Sequence, residues 1–259
     1  MSNFRTAFRA RHRVTSAVQH RGYRVKRPLV PLTHDFDADA VEAIREVAGF
    51  TQTTPERIVA LRDAVRYVAR AGIPGDIVEC GVWRGGSMMV VANELQRQHD
   101  AERRLWLYDT YTGMTPPTVD DVTVTGTTGA QWFDAELAKP EKDATGVTGI
   151  ALETVQANVA RTGYARERQT YVVGPVEQTL YEHELPEQIA LLRLDTDFHD
   201  STRAEMEVLY PRLVPGGVLI LDDYGYWQGA RKAVDDYFAD KPVLLVRLDN
   251  AARLVVKPG

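Results

Sequence analysis

Residues 190–202 read ALLRLDTDFHDST and residues 216–225 read GGVLILDDYG. Each is an apolar run that stops at acids: Asp195 and Asp197 in the first, Asp222 and Asp223 in the second. Continuous apolar runs of this kind suit strands buried on both faces of a parallel sheet. If the two strands are neighbours, their aspartates meet at one end of the sheet. Two carboxylates about 4 Å apart repel by roughly 4 kcal/mol at an effective dielectric of about 20, and a third adds to that. Such a group takes up protons or binds a cation, and a set of oxygen ligands favours a hard ion such as Mg²⁺. The alternative is a row of helix caps facing water. Acids paired at two strand ends favour the ion.

The surrounding chain supports the parallel sheet. PERIVALRDAVRYVARAG, from Pro55, places Ile58, Leu61, Val65 and Val68 on one helical face and a glycine after the last turn. GDIVECG and RRLWLYDTYTG read as strands on either side of the helical GGSMMVVANELQRQ. ALETVQANVARTG returns to helix. RQTYVVG, IALLRLD, GGVLILDD, PVLLVRLD and ARLVVKP read as five more strands, with helices over TRAEMEVLYPRLV and ARKAVDDYFAD. Strands alternating with helices imply a mostly parallel sheet covered on both faces. The last two strands have no helix between them and should form an antiparallel hairpin at one edge. Residues 112–150 read as a long irregular insert rich in Thr, Pro and Gly, and Trp132 and Phe133 within it favour a lid over a disordered segment.

In such sheets ligands bind outside the carboxyl ends of the strands. The first strand runs into ECGVWRGGS, with Glu79, Gly81, Gly85, Gly86 and Ser87. Glycines there let backbone approach a ligand closely. The spacing is not G-x-G-x-x-G, which argues against a dinucleotide. The second strand ends in Asp109, placed to accept hydrogen bonds from ribose hydroxyls. A glycine turn followed by an acid without a pyrophosphate site suits S-adenosylmethionine, although glycine turns also serve tight packing alone.

The 259 residues are 44% hydrophobic and 26% charged with a formal net charge of −5. This is an ordinary globular composition, and its sign gives no reason to expect nucleic acid. The lone Cys80 rules out an internal disulfide and a Cys-rich zinc site, and suits a reducing cytoplasm. No apolar run is long enough to span a bilayer. Residues 1–34 form a basic N-terminal extension, followed by a domain over 35–259. The extension is an arm for an anionic partner, lipid or acidic saccharide, or else a solvated segment packed loosely on the body or used in a dimer, the second being favoured; a homo-oligomer, a dimer, is expected.

GDIVECGVWRGGS, LYDTYTGM, LRLDTDFHDSTRAEMEVLYPRLVPGGVLILDDYG and GARKAVDDYF together resemble the macrocin O-methyltransferase (TylF-like) family, from about Thr51 to Phe238. The resemblance implies a Rossmann-like class I methyltransferase fold with a mostly parallel seven-stranded sheet. It also implies transfer of a methyl group from S-adenosylmethionine to a sugar hydroxyl, with Mg²⁺. Asp195, Asp222 and Asp223 match the family's metal ligands, and Asp197 its proposed general base. Glu79, Gly81, Asp109 and Thr51 match cofactor positions, and Ser87, Gly174 and Asp195 complete the expected cofactor set. The chain departs from the family at Gln52, where a methionine is usual. It also departs at Thr196 and His199, in LDTDFHDST where L-D-G-D-L-Y-E-S-T is common, and in GPVEQTL, which lacks the usual aromatic near the adenine.

The acceptor hydroxyl must lose a proton as it attacks, so a base is needed beside the transferred methyl. Asp197 is the first candidate and His199, which titrates near neutrality, the second. Trp132 and Trp227 are candidates for stacking on a sugar ring or for the core, and Arg231 for orienting Asp223 or for a surface pair. The acceptor is expected to be the sugar of a glycosylated natural product or an oligosaccharide. The competing enzyme reading is a metal-dependent catechol-type O-methyltransferase acting on an aromatic diol. A silent cofactor-binding module and an NAD-dependent oxidoreductase fit the aspartates and the glycine turn less well.

Overall fold

The computed structural model describes residues 35–138 and 146–259; the basic extension over 1–34 lies outside the described residues. In chain order the elements are α1 (Ala38–Glu46), α2 (Pro55–Arg70), β1 (Asp76–Cys80), α3 (Gly86–Arg97), β2 (Leu105–Asp109) and α4 (Gly129–Leu137). There follow α5 (Leu152–Ala160), β3 (Gln169–Val173), α6 (Val176–Glu182), β4 (Ile189–Leu194) and α7 (His199–Val208). The chain ends with β5 (Leu213–Leu221), α8 (Gln228–Phe238), β6 (Val246–Arg247) and β7 (Arg253–Val256). The sheet has seven strands in the order β3-β2-β1-β4-β5-β7-β6. The first five are parallel, and β7 runs antiparallel to both β5 and β6.

Period-two alternation feeds two cores from one sheet. Ile77, Leu105, Leu107, Leu191, Val218 and Ile220 face a layer made by α2, α3 and α5. Val78, Trp106, Tyr108, Leu192, Leu194, Leu219 and Leu221 face α6, α7 and α8. Because both faces are covered, β4 and the second half of β5 are apolar at nearly every position. Helix α2 starts where the sequence predicts: Thr54 accepts a hydrogen bond from the Arg57 N–H, and Pro55 needs no partner at the first position.

Register places the site. Cys80 lies opposite Tyr108 on one side and Leu194 on the other, and Leu194 lies opposite Leu221. The ladder continues by one residue at each strand: Asp195 N–H donates to Cys80 O and Asp222 N–H to Leu194 O, each at 2.9 Å. Gly81, Asp109, Asp195 and Asp222 therefore form one row along the carboxyl edge.

Two expectations are corrected. The sixth strand shrinks from the apolar run PVLLVRLD to two residues, because only one neighbour pairs with it. Val243 and Leu245 pack onto the core, whereas Leu244 and Val246 face solvent. The insert over 112–150 is not irregular throughout. It carries α4, opened by a capping box in which Thr128 and Gln131 satisfy each other's backbone N–H groups. It is also bound to the body, with Val124 N–H donating to Tyr226 O and Gln228 N–H to Val122 O.

Candidate active site

Asp195, Asp222 and Asp223 each present a carboxylate oxygen, and the three lie within 4.8 Å of one another. Asp195 follows β4, and the other two follow β5. Asp222 is buried, and Asp195 keeps 30% of its side chain exposed. Burial, added to the charges of neighbouring aspartates, pushes the carboxyls of Asp195 and Asp223 well above the ordinary carboxylate range. The group thus holds too little positive charge to keep all of its acids ionised.

Asp197 joins this group. Its backbone adopts the left-handed region at φ 68°, unusual for a residue with a side chain. Its N–H donates to Asp223 Oδ2 at 3.1 Å, and its Oδ1 accepts from the indole Nε1 of Trp227 at 2.7 Å. Burial first, then the charge of Asp195, raises its carboxyl to about 7, against the lowering effect of the indole. The preceding Thr196 donates from Oγ1 to Glu205 Oε2 at 3.2 Å, a carboxyl that burial holds far above its ordinary range. A side-chain tether therefore stands where the family commonly has glycine.

His199 opens α7. Its backbone N–H donates to Asp121 Oδ1 at 2.7 Å, and its Nδ1 lies 2.9 Å from Asp200 Oδ1. Asp121, wholly buried, comes from the insert and caps α7 from outside the helix. The structure thus gathers Asp197 with the three aspartates and pairs His199 with Asp200 instead.

The glycine turn after β1 is built as much for packing as for access. A Cβ on Gly81 would come within 2.6 Å of the carbonyl carbon of Asp195, so only glycine lets β1 and β4 end side by side. Asp109 Oδ2 accepts from Val82 N–H at 2.7 Å and Trp83 N–H at 3.1 Å, and its Oδ1 from Tyr111 N–H at 2.8 Å. The carboxylate therefore braces two loops, in which Trp83 and Tyr111 both have positive φ. Thr51 adjoins the start of α3, where Gly86 N–H donates to Phe50 O at 2.8 Å. Ser87 lies almost buried in the first turn of that helix. Gly174 follows β3 at φ 135°, with its N–H bound to Asp109 O. Glu79 is buried within β1, where Oε1 accepts from Arg193 and Oε2 has no hydrogen-bond partner. Burial, only partly offset by Arg193, lifts it to about 7.

Sequence reasoning missed two arginines. Arg193 is buried in β4, with Nη1 2.6 Å from Glu79 Oε1 and Nη2 2.8 Å from Asp195 and 2.9 Å from Asp222. Its signal was present, since a cation inside an apolar strand needs buried anions around it. Arg57 in α2 pairs with Asp222 Oδ2 and, 2.7 Å away, with Asp249 Oδ2 from the β6–β7 loop. The pairing with Asp222 and Asp249 outweighs burial and raises its pKa. Only the fold brings residues 57, 222 and 249 together. Trp227 is fully buried, edge-on to Trp132 and Phe198, so its ring serves the core and not a sugar. Arg231 pairs with Asp235 on the surface.

Among the described residues no helix is long and apolar enough to cross a membrane. Similarity to known proteins agrees with the geometry. An 8-demethyl-8-(2,3-dimethoxy-alpha-L-rhamnosyl)-tetracenomycin-C 4'-O-methyltransferase of Streptomyces olivaceus is 36% identical over 182 residues, covering 70% of this chain and 65% of that protein. A mycinamicin III 3''-O-methyltransferase of Micromonospora griseorubida is 30% identical over 78% of this chain and 77% of its own. The structure of the O-methyltransferase NovP superposes with a TM-score of 0.66 at 25% identity, covering 81% of this chain and 83% of that one. The description "Macrocin-O-methyltransferase (TylF)" matches residues 5–252, a span that includes most of the basic extension as well as the sheet and its aspartates. The chain belongs to the macrocin O-methyltransferase family and has its class I methyltransferase fold.

Proposed function

We propose that this chain is a Mg²⁺-dependent O-methyltransferase that moves a methyl group from S-adenosylmethionine to a sugar hydroxyl of a glycosylated natural product or oligosaccharide. The observation that carries the reading is the convergence of Asp195, Asp222 and Asp223 beside Asp197, one strand from the glycine turn. The name of the Streptomyces olivaceus relative places a rhamnosyl group on its substrate, which supports a sugar acceptor here.

The donor set fits a hard divalent ion. It is all carboxylate oxygen, its oxygens lie within 4.8 Å of one another, and Asp222 Oδ1 is ion-paired with Arg193 but accepts no hydrogen bond. A cation there would also favour the ionised forms of Asp195 and Asp223, which burial and the neighbouring aspartates disfavour. When bound, Mg²⁺ would stabilise negative charge developing on the acceptor oxygen, and S-adenosylmethionine would supply an electrophilic methyl. Thr51, Glu79, Gly81, Ser87, Asp109, Gly174 and Asp195 are the proposed cofactor-binding positions. Glu79 Oε2 is an orphaned buried acceptor suited to a cationic or hydrogen-bonding part of the donor.

The protein's own work is then positioning and proton transfer. Asp197 takes the acceptor proton, its carboxylate held beside the metal ligands by Asp223 and Trp227. In-line placement of oxygen, methyl and sulfur supplies much of the remaining acceleration. Residues 112–138 of the insert close over the acceptor.

The test is methyl transfer over a panel of glycosides, oligosaccharides and catechols, with mass-spectrometric mapping of the product. A methyl group on a sugar oxygen supports the reading. Transfer to a catechol with none to any sugar replaces it by the aromatic-diol reading.

A further inference from the structure

We infer that Trp227 is a positioning residue for Asp197: its indole N–H fixes Oδ1 and so orients the carboxylate that takes the acceptor's proton. The inference rests on the general-base role proposed for Asp197.

The indole is immobilised from several sides. Trp227 is 0% exposed. Its ring lies edge-on to Phe198 at 5.1 Å, to Trp132 at 5.4 Å and to Tyr226 at 5.5 Å between centroids. Its backbone N–H donates to Asp223 O at 3.0 Å, its carbonyl accepts from Arg231 N–H, and residue 227 bridges to Thr123 of the insert. Nε1 therefore cannot turn away from Asp197 without breaking contacts to the β5–α8 loop, to the insert and to Phe198.

Asp197 needs such a clamp. Its backbone is in the left-handed region, and its N–H is already committed to Asp223. A free carboxylate there would rotate about χ2 and exchange its oxygens. The indole bond, at 2.7 Å, removes that freedom. The carboxyl of Asp223 also lies against that of Asp197, and the indole is the N–H that orients it. Trp227 also joins three parts of the site: Asp223 by its backbone, Asp197 by its ring and the insert by its edge contact with Trp132. An ordinary core tryptophan finds a partner for its N–H, but it has no need of one on a strained acid among four carboxylates.

The experiment compares Trp227→Phe, Asp197→Asn and the double variant by steady-state kinetics with saturating S-adenosylmethionine and Mg²⁺. Asp197→Asn lowers kcat by about 10²–10⁴-fold, as loss of a general base does. Trp227→Phe keeps an aromatic ring, loses the donor and lowers kcat by about 10- to 100-fold, with KM for donor and acceptor within about twofold. In the Asp197→Asn background the same change has less than about a twofold effect, because nothing remains to be positioned. If the phenylalanine variant does not fold, β-(3-benzothienyl)alanine at 227 keeps the shape without the N–H, and the same losses are expected.

An unchanged kcat in the Trp227 variants while Asp197→Asn is impaired overturns the inference and leaves the base assignment standing. An equal loss in both backgrounds also overturns it, because Trp227 then acts through packing alone. Near-wild-type turnover of Asp197→Asn removes the general-base reading itself.

Discussion

Glu79 and Arg193 stand directly opposite each other on neighbouring parallel strands, and Arg193 Nη1 donates to Glu79 Oε1 across 2.6 Å in a region almost closed to solvent. The same guanidinium reaches Asp195 and Asp222 with Nη2. One buried cation thus ties the strand that leads into the glycine turn to the strands that carry the aspartates.

The Glu79–Arg193 arrangement predicts a pH effect on the metal-free protein. Burial raises the Glu79 carboxyl from 4.5 to about 7. Between those values the folded chain keeps a proton that the unfolded chain has lost, so stability is full below about 4.5 and falls as pH rises through 7. The share of Glu79 is on the order of 3 kcal/mol. Denaturant unfolding in EDTA at several pH values should show this decline, and Glu79→Gln should flatten it. A slope unchanged by Glu79→Gln would mean that Arg193 keeps the carboxylate ionised throughout.

Removing Arg57 should cost stability in a way that a divalent ion partly repairs. Arg57→Gln deprives Asp222 and Asp249 of a charged hydrogen-bond partner, each such bond contributing about 1.5–3 kcal/mol. Mg²⁺ at the aspartates replaces part of the lost positive charge. The variant should therefore be more destabilised in EDTA than in saturating Mg²⁺. Equal losses in the two conditions would separate Arg57 from the metal site.

The mostly parallel sheet with its antiparallel edge hairpin was legible because unbroken apolar runs alternating with helices encode it locally. The aspartate group was legible for the same reason: strand ends fall in register when strands are parallel neighbours. Arg57 and Asp249 were not, because one lies on a helix and the other in a hairpin loop, 192 residues apart. The helix at Gly129–Leu137 was hidden by the Thr/Gly-rich composition around it, although T-G-A-Q is a capping signature. Asp109 was read as a ribose partner alone, since a backbone role for a carboxylate leaves no mark in sequence.

Asp109→Ala should weaken S-adenosylmethionine binding by at least about tenfold, from the loss of charged hydrogen bonds to the ribose. The three backbone N–H groups that Asp109 now accepts would lose their partner as well, so the melting temperature should also fall. Calorimetric titration of the folded variant separates the two effects. An unchanged dissociation constant with a lowered melting temperature would restrict Asp109 to bracing the turn.

The insert should respond to ligands. Amide exchange over residues 118–137 should slow when donor and acceptor are both bound. Asp121→Ala, which removes the buried cap on α7, should raise exchange there in the free protein. Exchange that is indifferent to both ligands would make the insert a fixed wall.

The measurement that tests the central claim most directly is turnover on a sugar acceptor by protein stripped of metal, assayed in excess EDTA and again after adding Mg²⁺. The convergence of Asp195, Asp222 and Asp223 predicts negligible turnover in EDTA, recovery with Mg²⁺, and no recovery in Asp222→Asn. Full turnover in EDTA would contradict it and leave the aspartates as a proton-sharing group around Asp197.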